Sequence, residues 1–166
     1  NGVEYIYGAR NQSREGVKFR ASDGKIVMNL PFPKESGLNP IKFNPTAVTV
    51  APNGDIYLAD GYASNVIFRF DKNGKYLSHF GEKGNGLKQF NTAHGMTLDT
   101  RYDPPRLLVC DRNHKPKGRL LHYGLDGKFI EVVVTGLGMP TSVAVHGDYV
   151  SVPDLHGRVV ILDKSN

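Results

Sequence analysis

The feature that most constrains this chain is a short sequence pattern that recurs at nearly constant spacing. Residues 46–50 (TAVTV) return 48 residues later as 94–98 (HGMTL), and 47 residues after that as 141–145 (TSVAV). A fixed period of this length is the signature of a repeat architecture, so most of the chain is predicted to consist of copies of one unit. The first residues of these segments are predicted to be equivalent: Thr46, His94 and Thr141.

The clearest copy spans residues 44–80 and contains four short runs rich in β-branched and aromatic residues. Turn residues separate the runs, and the sequences 52–54 (PNG) and 72–74 (KNG) suit tight hairpins because Asn and Gly tolerate positive φ. Four antiparallel strands, here lettered a to d, in about 37 residues are typical of one blade of a β-propeller. The fold class is therefore predicted to be all-β, with no helix longer than about two turns. The 19 Gly and 10 Pro imply many turns and agree with this prediction.

The whole chain, residues 1–166, is predicted to be part of a single propeller domain with two complete and two incomplete blades. We assign these blades to about residues 3–30, 45–80, 93–135 and 140–166. In the first blade, strands b, c and d are predicted at residues 3–7, 16–19 and 24–28, and strand a is missing. The last blade stops where strand d should begin. A propeller buries each blade against its neighbours, so the missing blades of a longer parent chain are the expected partners of the two ends. Closure of the chain as a four-bladed ring is the alternative.

Composition excludes several classes of function. The net charge is +5, but the 21 basic residues are scattered and only 112–119 is locally dense, which indicates a solvated surface rather than a nucleic-acid site. No apolar run reaches the roughly 18 residues of a membrane span. The single cysteine, Cys110, lies in an apolar run and is predicted to be a buried core residue without an intrachain disulfide.

Three consecutive patterns resemble the NHL repeat: Pro-x-x-Val-x-Val at 45–50, Asn-Gly-x-Ile-Tyr-Leu-Ala-Asp at 53–60 and Val-Ile-x-x-Phe-Asp at 66–71. The resemblance extends over residues 44–163 and more faintly over 3–30. It implies an NHL-like propeller, and it implies six blades in the parent protein. NHL blades usually open strand c with Arg, as at Arg119 and Arg158, whereas the clearest blade has Val66.

Within that group, residues 59–65 (ADGYASN) and 90–96 (FNTAHGM) resemble the peptidyl-α-hydroxyglycine amidating lyases. The resemblance implies a small peptide-like substrate, a zinc ion held by His residues in the central channel, a structural calcium, and an extracellular or periplasmic location. A Tyr and an Arg lie beside the substrate in that family. His94 matches a zinc ligand and Tyr62 the Tyr, although Ala93 stands where the family usually has Pro. The other ligands would lie outside residues 1–166.

The loops between strands b and c are expected to share one rim of the propeller, because corresponding loops of repeats stack on the same face. They carry Arg10, Tyr62, His114 and His156. Tyr62 is a candidate general base, and Arg10 is a candidate for pairing a substrate carboxylate. His114 and His156 are candidates for binding at the rim. His94 should face the channel, either as a metal ligand or as a hydrogen-bonded channel residue.

Three functions remain open from these residues. The first is a metal-dependent carbon–nitrogen lyase with Tyr62 and Arg10 as catalytic residues. The second is a non-catalytic scaffold that binds a protein, peptide or glycan at the rim. The third is a solute-sensing or structural module. Independently of function, an Asp ends strand b in each later blade, and these residues are expected to accept hydrogen bonds from loop amides and so hold each b–c turn: Asp60, Asp111 and Asp154.

Overall fold

The computed structural model describes residues 2–164, which form fourteen β-strands arranged in four antiparallel sheets. The all-β prediction is confirmed. The strands are β1 (Tyr5–Arg10), β2 (Glu15–Arg20), β3 (Ile26–Leu30), β4 (Ala47–Val50), β5 (Ile56–Ala59), β6 (Ile67–Phe70), β7 (Tyr76–Phe80), β8 (Ala93–Asp99), β9 (Arg106–Asp111), β10 (Gly118–Tyr123), β11 (Phe129–Leu137), β12 (Ala144–His146), β13 (Tyr149–Asp154) and β14 (Arg158–Leu162).

Helical structure in residues 2–164 is confined to two short 3₁₀ helices, Lys34–Ser36 and Pro40–Lys42, in the connection from the first sheet to the second. Neither is long and apolar enough to cross a membrane. The structure agrees with the prediction that no helix would exceed about two turns.

Each sheet consists of consecutive strands paired in sequence order: β1–β3, β4–β7, β8–β11 and β12–β14. We number these sheets as the first to fourth blades. Strand β8 contacts both β4 and β12, and β4 also contacts β1, so the first strands of successive sheets lie next to one another. This arrangement makes β4, β8 and β12 the innermost strands and places their starts around a common channel.

The equivalence of the inner-strand starts follows from matching main-chain hydrogen bonds. The N–H of Thr46 donates to Ala59 O, and that of Thr141 donates to Pro153 O, in each case one residue before the Asp that ends strand b. His94 lies at the corresponding end of β8, within a bulge where the register changes between Ala93 and Met96. The predicted repeat register is therefore confirmed.

Three apolar clusters fill the spaces between the four sheets. Strand β5 contributes side chains to two of these clusters, since Ile56 and Leu58 face the first sheet while Tyr57 and Ala59 face the third. All four residues are buried, because side chains alternate between two covered faces of the strand. Cys110 is fully buried in the cluster between the third and fourth sheets, as predicted, and its thiol donates to Ser142 O.

The first blade differs from prediction in its strand bounds. Strand b was expected at residues 3–7 and strand d at 24–28, whereas β1 covers Tyr5–Arg10 and β3 begins at Ile26. The turn explains the later start of β3. Gly24 has φ 70° and its N–H donates to Arg20 O, while the N–H of Arg20 donates to Lys25 O, so Gly24 and Lys25 belong to the turn. The predicted fourth blade extends to residue 166, of which 165 and 166 lie outside the described residues.

The two end blades leave apolar side chains exposed. On the outward face of the fourth sheet, Val159 and Ile161 are 62% and 60% exposed. On the first sheet, Ile6 and Val27 are 47% and 43% exposed. A partial propeller has such uncovered faces, because each blade normally packs on two neighbours.

Candidate functional site

The b–c loops are held in place by three buried aspartates, Asp60, Asp111 and Asp154. Asp60 accepts bonds from the amide and hydroxyl of Ser64, and Asp154 accepts one from the amide of His156. The expected role in the turns is confirmed for these two residues. Each of the three carboxylates also accepts a hydrogen bond from a backbone N–H in the segment that enters the inner strand. The sequence did not indicate these donors, which are Asn44, Asn91 and Met139.

These aspartates bring the b–c loop and the start of the inner strand close together at one rim in the second, third and fourth blades. The residues that begin the inner strands also link neighbouring blades. Thr46 Oγ1 donates to Ala93 O at 2.6 Å, and His94 Nδ1 lies 2.7 Å from Thr141 O. The same position thus connects the second blade to the third and the third to the fourth.

Tyr62 and His94 meet at this rim, although they belong to different blades. The Tyr62 hydroxyl lies 2.8 Å from His94 Nε2, and the two rings meet edge to face with centroids 5.4 Å apart. A carbonyl oxygen only accepts, so the bond to Thr141 O requires the proton on His94 Nδ1. In the neutral ring, Nε2 then has a free lone pair and accepts the Tyr62 proton.

Arg112 completes the cluster and was not singled out from the sequence. Its Nη1 donates to Tyr62 Oη at 3.2 Å, and its guanidinium lies 5.2 Å from the centre of the Tyr62 ring. Its buried Nε has no hydrogen-bond partner in the described residues. Arg112 therefore brings a cation beside Tyr62 and retains an unused donor. We name Tyr62, His94 and Arg112 the channel cluster.

Burial lowers the pKa of His94 below its usual range, because desolvation penalises the imidazolium form. The bond to Thr141 O opposes this shift, and the positive charge of Arg112 adds to it. The half-buried ring is therefore held in the neutral form that can accept a proton or bind a metal ion at Nε2.

The other predicted site residues lie outside this cluster, Arg10 at the end of β1 and His114 and His156 on b–c loops. Arg10 ends β1, and its guanidinium donates to Glu15 at 3.0 Å; no hydrogen bond joins it to Tyr62 or His94 in residues 2–164. The His114 side chain is only 13% exposed and lies 3.3 Å from Asp111 without hydrogen-bond geometry. Burial and nearby Arg119 lower the pKa of His114.

His94 provides one nitrogen donor of the kind that zinc binds. A catalytic zinc site usually has about three protein ligands, and an imidazole whose other nitrogen donates to a carbonyl is a common one. His94 fits this role through Nε2. The described residues contain no group of three or more His, Cys, Asp or Glu placed to hold a metal ion. They therefore offer a single oriented ligand and not a complete site.

Sheets placed side by side around converging inner strands define a β-propeller, with the channel cluster at one end of its channel. The model of the 6-bladed beta-propeller family matches residues 44–141, more than half of the chain. The chain therefore belongs to this family.

Similarity to individual proteins supports the resemblance to NHL-repeat proteins and amidating lyases. Human NHL repeat-containing protein 3 is 36% identical over 104 residues, covering 60% of this chain and 29% of that protein. A probable peptidyl-alpha-hydroxyglycine alpha-amidating lyase of Caenorhabditis elegans is 34% identical over 106 residues, covering 62% of this chain and 30% of that protein. The chain thus spans less than a third of the length of either relative.

Solved structures share the fold at low sequence identity. Hydrazine synthase of Kuenenia stuttgartiensis superposes with a TM-score of 0.70 at 12% identity, covering 97% of this chain and 43% of that one. The periplasmic gluconolactonase PpgL of Pseudomonas aeruginosa gives 0.59 at 16% identity, covering 97% and 50%. These two likenesses concern the fold alone.

Proposed function

We propose that this chain carries part of the active site of a lyase that cleaves the carbon–nitrogen bond of a peptidyl-α-hydroxyglycine. The observation that carries the proposal is the channel cluster, in which one phenol contacts an oriented imidazole and a guanidinium. Similarity to amidating lyases over 62% of the chain adds support. A non-catalytic propeller scaffold is the alternative.

Tyr62 is the proposed general base. Its oxygen accepts a bond from Arg112 and lies beside His94 Nε2. It can take up a proton once its own proton has passed to His94 Nε2 or, where a metal ion occupies that nitrogen, to solvent. The hydroxyl proton of the substrate goes to Tyr62, the carbon–oxygen bond becomes a carbonyl, and the carbon–nitrogen bond breaks. The leaving nitrogen takes up one proton, from His94 or from solvent, which gives the peptide amide and glyoxylate.

Arg112 is the proposed partner of the substrate's terminal carboxylate. A guanidinium attracts a carboxylate by its charge and donates hydrogen bonds to it. Arg112 Nη1 contacts Tyr62, and the guanidinium lies 5.2 Å from the centre of the Tyr62 ring. One residue can therefore hold the carboxylate next to the phenol that takes the proton. Arg10, which is paired with Glu15, is left as a weaker candidate for this task.

Zinc is proposed to bind His94 Nε2, with its remaining ligands contributed by residues outside the described chain. When bound, such an ion supplies a Lewis acid that makes a nearby hydroxyl easier to deprotonate. His94 is suited to this role because Thr141 O holds its Nδ1 proton and thereby orients the ring. A structural calcium remains an implication of the family resemblance.

The test is turnover of a hydroxyglycine-ended peptide by the complete propeller. Tyr62→Phe is expected to lower kcat by about 100-fold or more, in the range of general acid–base contributions. Tyr76→Phe is the matched control, because the Tyr76 hydroxyl contacts His79 Nδ1 at 2.7 Å on the second blade, far from the inner strands. Equal loss in both variants would contradict a catalytic role for Tyr62.

Elemental analysis tests the metal. Zinc in the wild type that is lost in His94→Ala, but retained in His79→Ala, supports His94 as a ligand. Full zinc in both variants would remove His94 from the ligand set. Absence of both metal and turnover in the wild type would leave the non-catalytic scaffold.

A further inference from the structure

A cavity of about 490 Å³ opens on the b–c rim, between the third and fourth sheets. We name it the basic cavity. The loop from β9 to β10 forms one wall, and the segment that follows β11, together with the β13–β14 turn, forms the other. The lining residues are Asn91, Arg112, Asn113, His114, Lys115, Pro116, Lys117, Gly138, Met139 and His156. It thus contains both predicted rim histidines, which the sequence placed on separate loops.

The charge of this cavity has one sign. Its lining includes the permanent cations of Arg112, Lys115 and Lys117 and two imidazoles, and no carboxylate is among the lining residues. Lys115 and Lys117 are exposed, and no ion pair engages either side chain in the part of the chain that the structure describes. Asp111 and Asp154 lie behind the lining, but arginines pair with them: Arg119 and Arg158. The cavity therefore attracts anionic groups.

The main chain around the cavity favours a carboxylate over a phosphate. Phosphate sites commonly present several free backbone N–H groups to the ligand. Here most such groups already donate within the protein, including those of Arg112, Asn113, Lys115, Gly138 and Met139. The available donors are flexible side-chain cations and side-chain amides. This donor set suits the carboxylate of an acidic side chain on a peptide.

The basic cavity is continuous with the channel cluster, because Arg112 belongs to both. We infer that it binds an acidic side chain of a peptide, upstream of the residue that meets Tyr62. The inference rests on the proposed function for the identity of the ligand as a peptide. It adds a preference: peptides with Glu or Asp near the reacting end bind more tightly than neutral ones.

Binding to the complete propeller tests this preference. The probes are two fluorescein-labelled hexapeptides that end in an ordinary glycine and differ only in three Glu against three Gln. Fluorescence anisotropy at low salt should give a dissociation constant about tenfold lower for the Glu peptide, as expected for a few partly exposed charge contacts. The ratio of the two dissociation constants, Gln peptide over Glu peptide, should fall towards one at high salt, because salt screens exposed charge pairs.

Lys115→Gln combined with Lys117→Gln should reduce the ratio to about two or less. Lys72→Gln combined with Lys75→Gln is the matched control: both lysines are exposed, the charge change is equal, and they lie in the β6–β7 turn. An unchanged ratio in the first variant would overturn the inference, as would equal reductions in both variants.

Three further outcomes distinguish this inference from the alternatives. Because glycine-ended probes cannot react, an acidic preference without turnover of hydroxyglycine peptides would remove the proposed lyase and leave the cavity as a binding site. Turnover with equal binding of both probes would support the lyase and overturn the cavity. Binding of a sulfated oligosaccharide without preference for the Glu peptide would also overturn it.

Discussion

At the scale of single residues, the site depends on two glycines where neighbouring blades approach closely. A Cβ on Gly61 would lie 2.0 Å from Ala93 O, and one on Gly95 would lie 2.6 Å from Ser142 Cα and 2.8 Å from Thr141 O. Both contacts are with main chain of the next blade, which cannot easily move aside. Gly95 therefore sets the distance between His94 and the carbonyl that orients it.

Gly95→Ala is expected to destabilise the protein by about 1–3 kcal/mol, because overpacking forces the backbone apart. It should also displace Thr141 O from His94 Nδ1 and so reduce turnover or metal binding. Thermal unfolding and activity measure the two effects. Gly8→Ala is the control, since its added Cβ would meet only Val17 at 3.7 Å. A Gly95→Ala protein as stable and active as Gly8→Ala would contradict this account.

At the scale of elements, one structural device recurs in the second, third and fourth blades: an Asp at the end of strand b accepts an amide hydrogen bond from the entry to the inner strand. In the second and fourth blades this Asp also accepts one from the following turn. Asp154 shows it most fully, accepting from the amides of Gly138, Met139 and His156 and from the Arg158 side chain. These donors hold the pKa of Asp154 well below its usual range despite burial, which acts in the opposite direction.

This shift predicts a pH dependence for the fourth blade. A carboxyl whose pKa is lower in the folded state stabilises that state above its unfolded pKa, near 3.8, and the contribution is lost as pH falls towards the folded pKa. Asp154→Asn should cost about 2–4 kcal/mol of unfolding free energy near neutral pH. Denaturant titrations should show the difference from wild type shrinking below about pH 4. A difference that stays constant down to pH 2 would contradict the assignment.

Strand β9 offers a probe of contact between the third and fourth blades. Burial raises the pKa of the Cys110 thiol to about 12, and the thiol donates to Ser142 O in the fourth blade. Iodoacetamide at pH 8 should therefore leave Cys110 unmodified in the folded protein and label it after denaturant is added. Mass spectrometry gives the extent of labelling. Modification at the rate of a free thiol without denaturant would show that these blades separate.

At the scale of the whole molecule, uncovered apolar faces end the described structure on both sides. Val159 and Ile161 project from the fourth sheet on the side away from the third, and the family has six blades. Further blades of the parent protein are the proposed cover for these faces.

A polypeptide limited to residues 1–166 is expected to self-associate, since exposed sheet faces bind one another in the absence of their neighbours. Val159→Lys combined with Ile161→Lys should reduce the associated fraction in sedimentation velocity. Leu77→Lys with Ile130→Lys is the control, because those side chains are 45% and 41% exposed on the outer strands β7 and β11. A monomeric wild-type fragment with a cooperative melt would contradict the expectation.

Local sequence determined the blades themselves. Asn-Gly turns and runs of β-branched residues specify hairpins within a few residues, and the recurrence of the inner-strand pattern specifies their equivalence. In the first blade the Gly24-Lys25 pair belongs to the turn and β3 begins only at Ile26, as β7 begins at Tyr76 and β11 at Phe129 after the same pair. The sequence therefore predicted the strands of the first blade, but not the residues at which they begin and end.

Only the tertiary structure decided how the site is assembled. The sequence indicated Tyr62 and His94 separately, but the contact between them depends on how closely the second and third blades pack. Arg112 had no distinguishing local signal among many surface cations, and its role arises because its loop meets a residue fifty positions earlier. The Thr141 carbonyl, supplied by the fourth blade, decides which nitrogen of His94 carries the proton. Such contacts join residues distant in the chain, so local pattern cannot specify them.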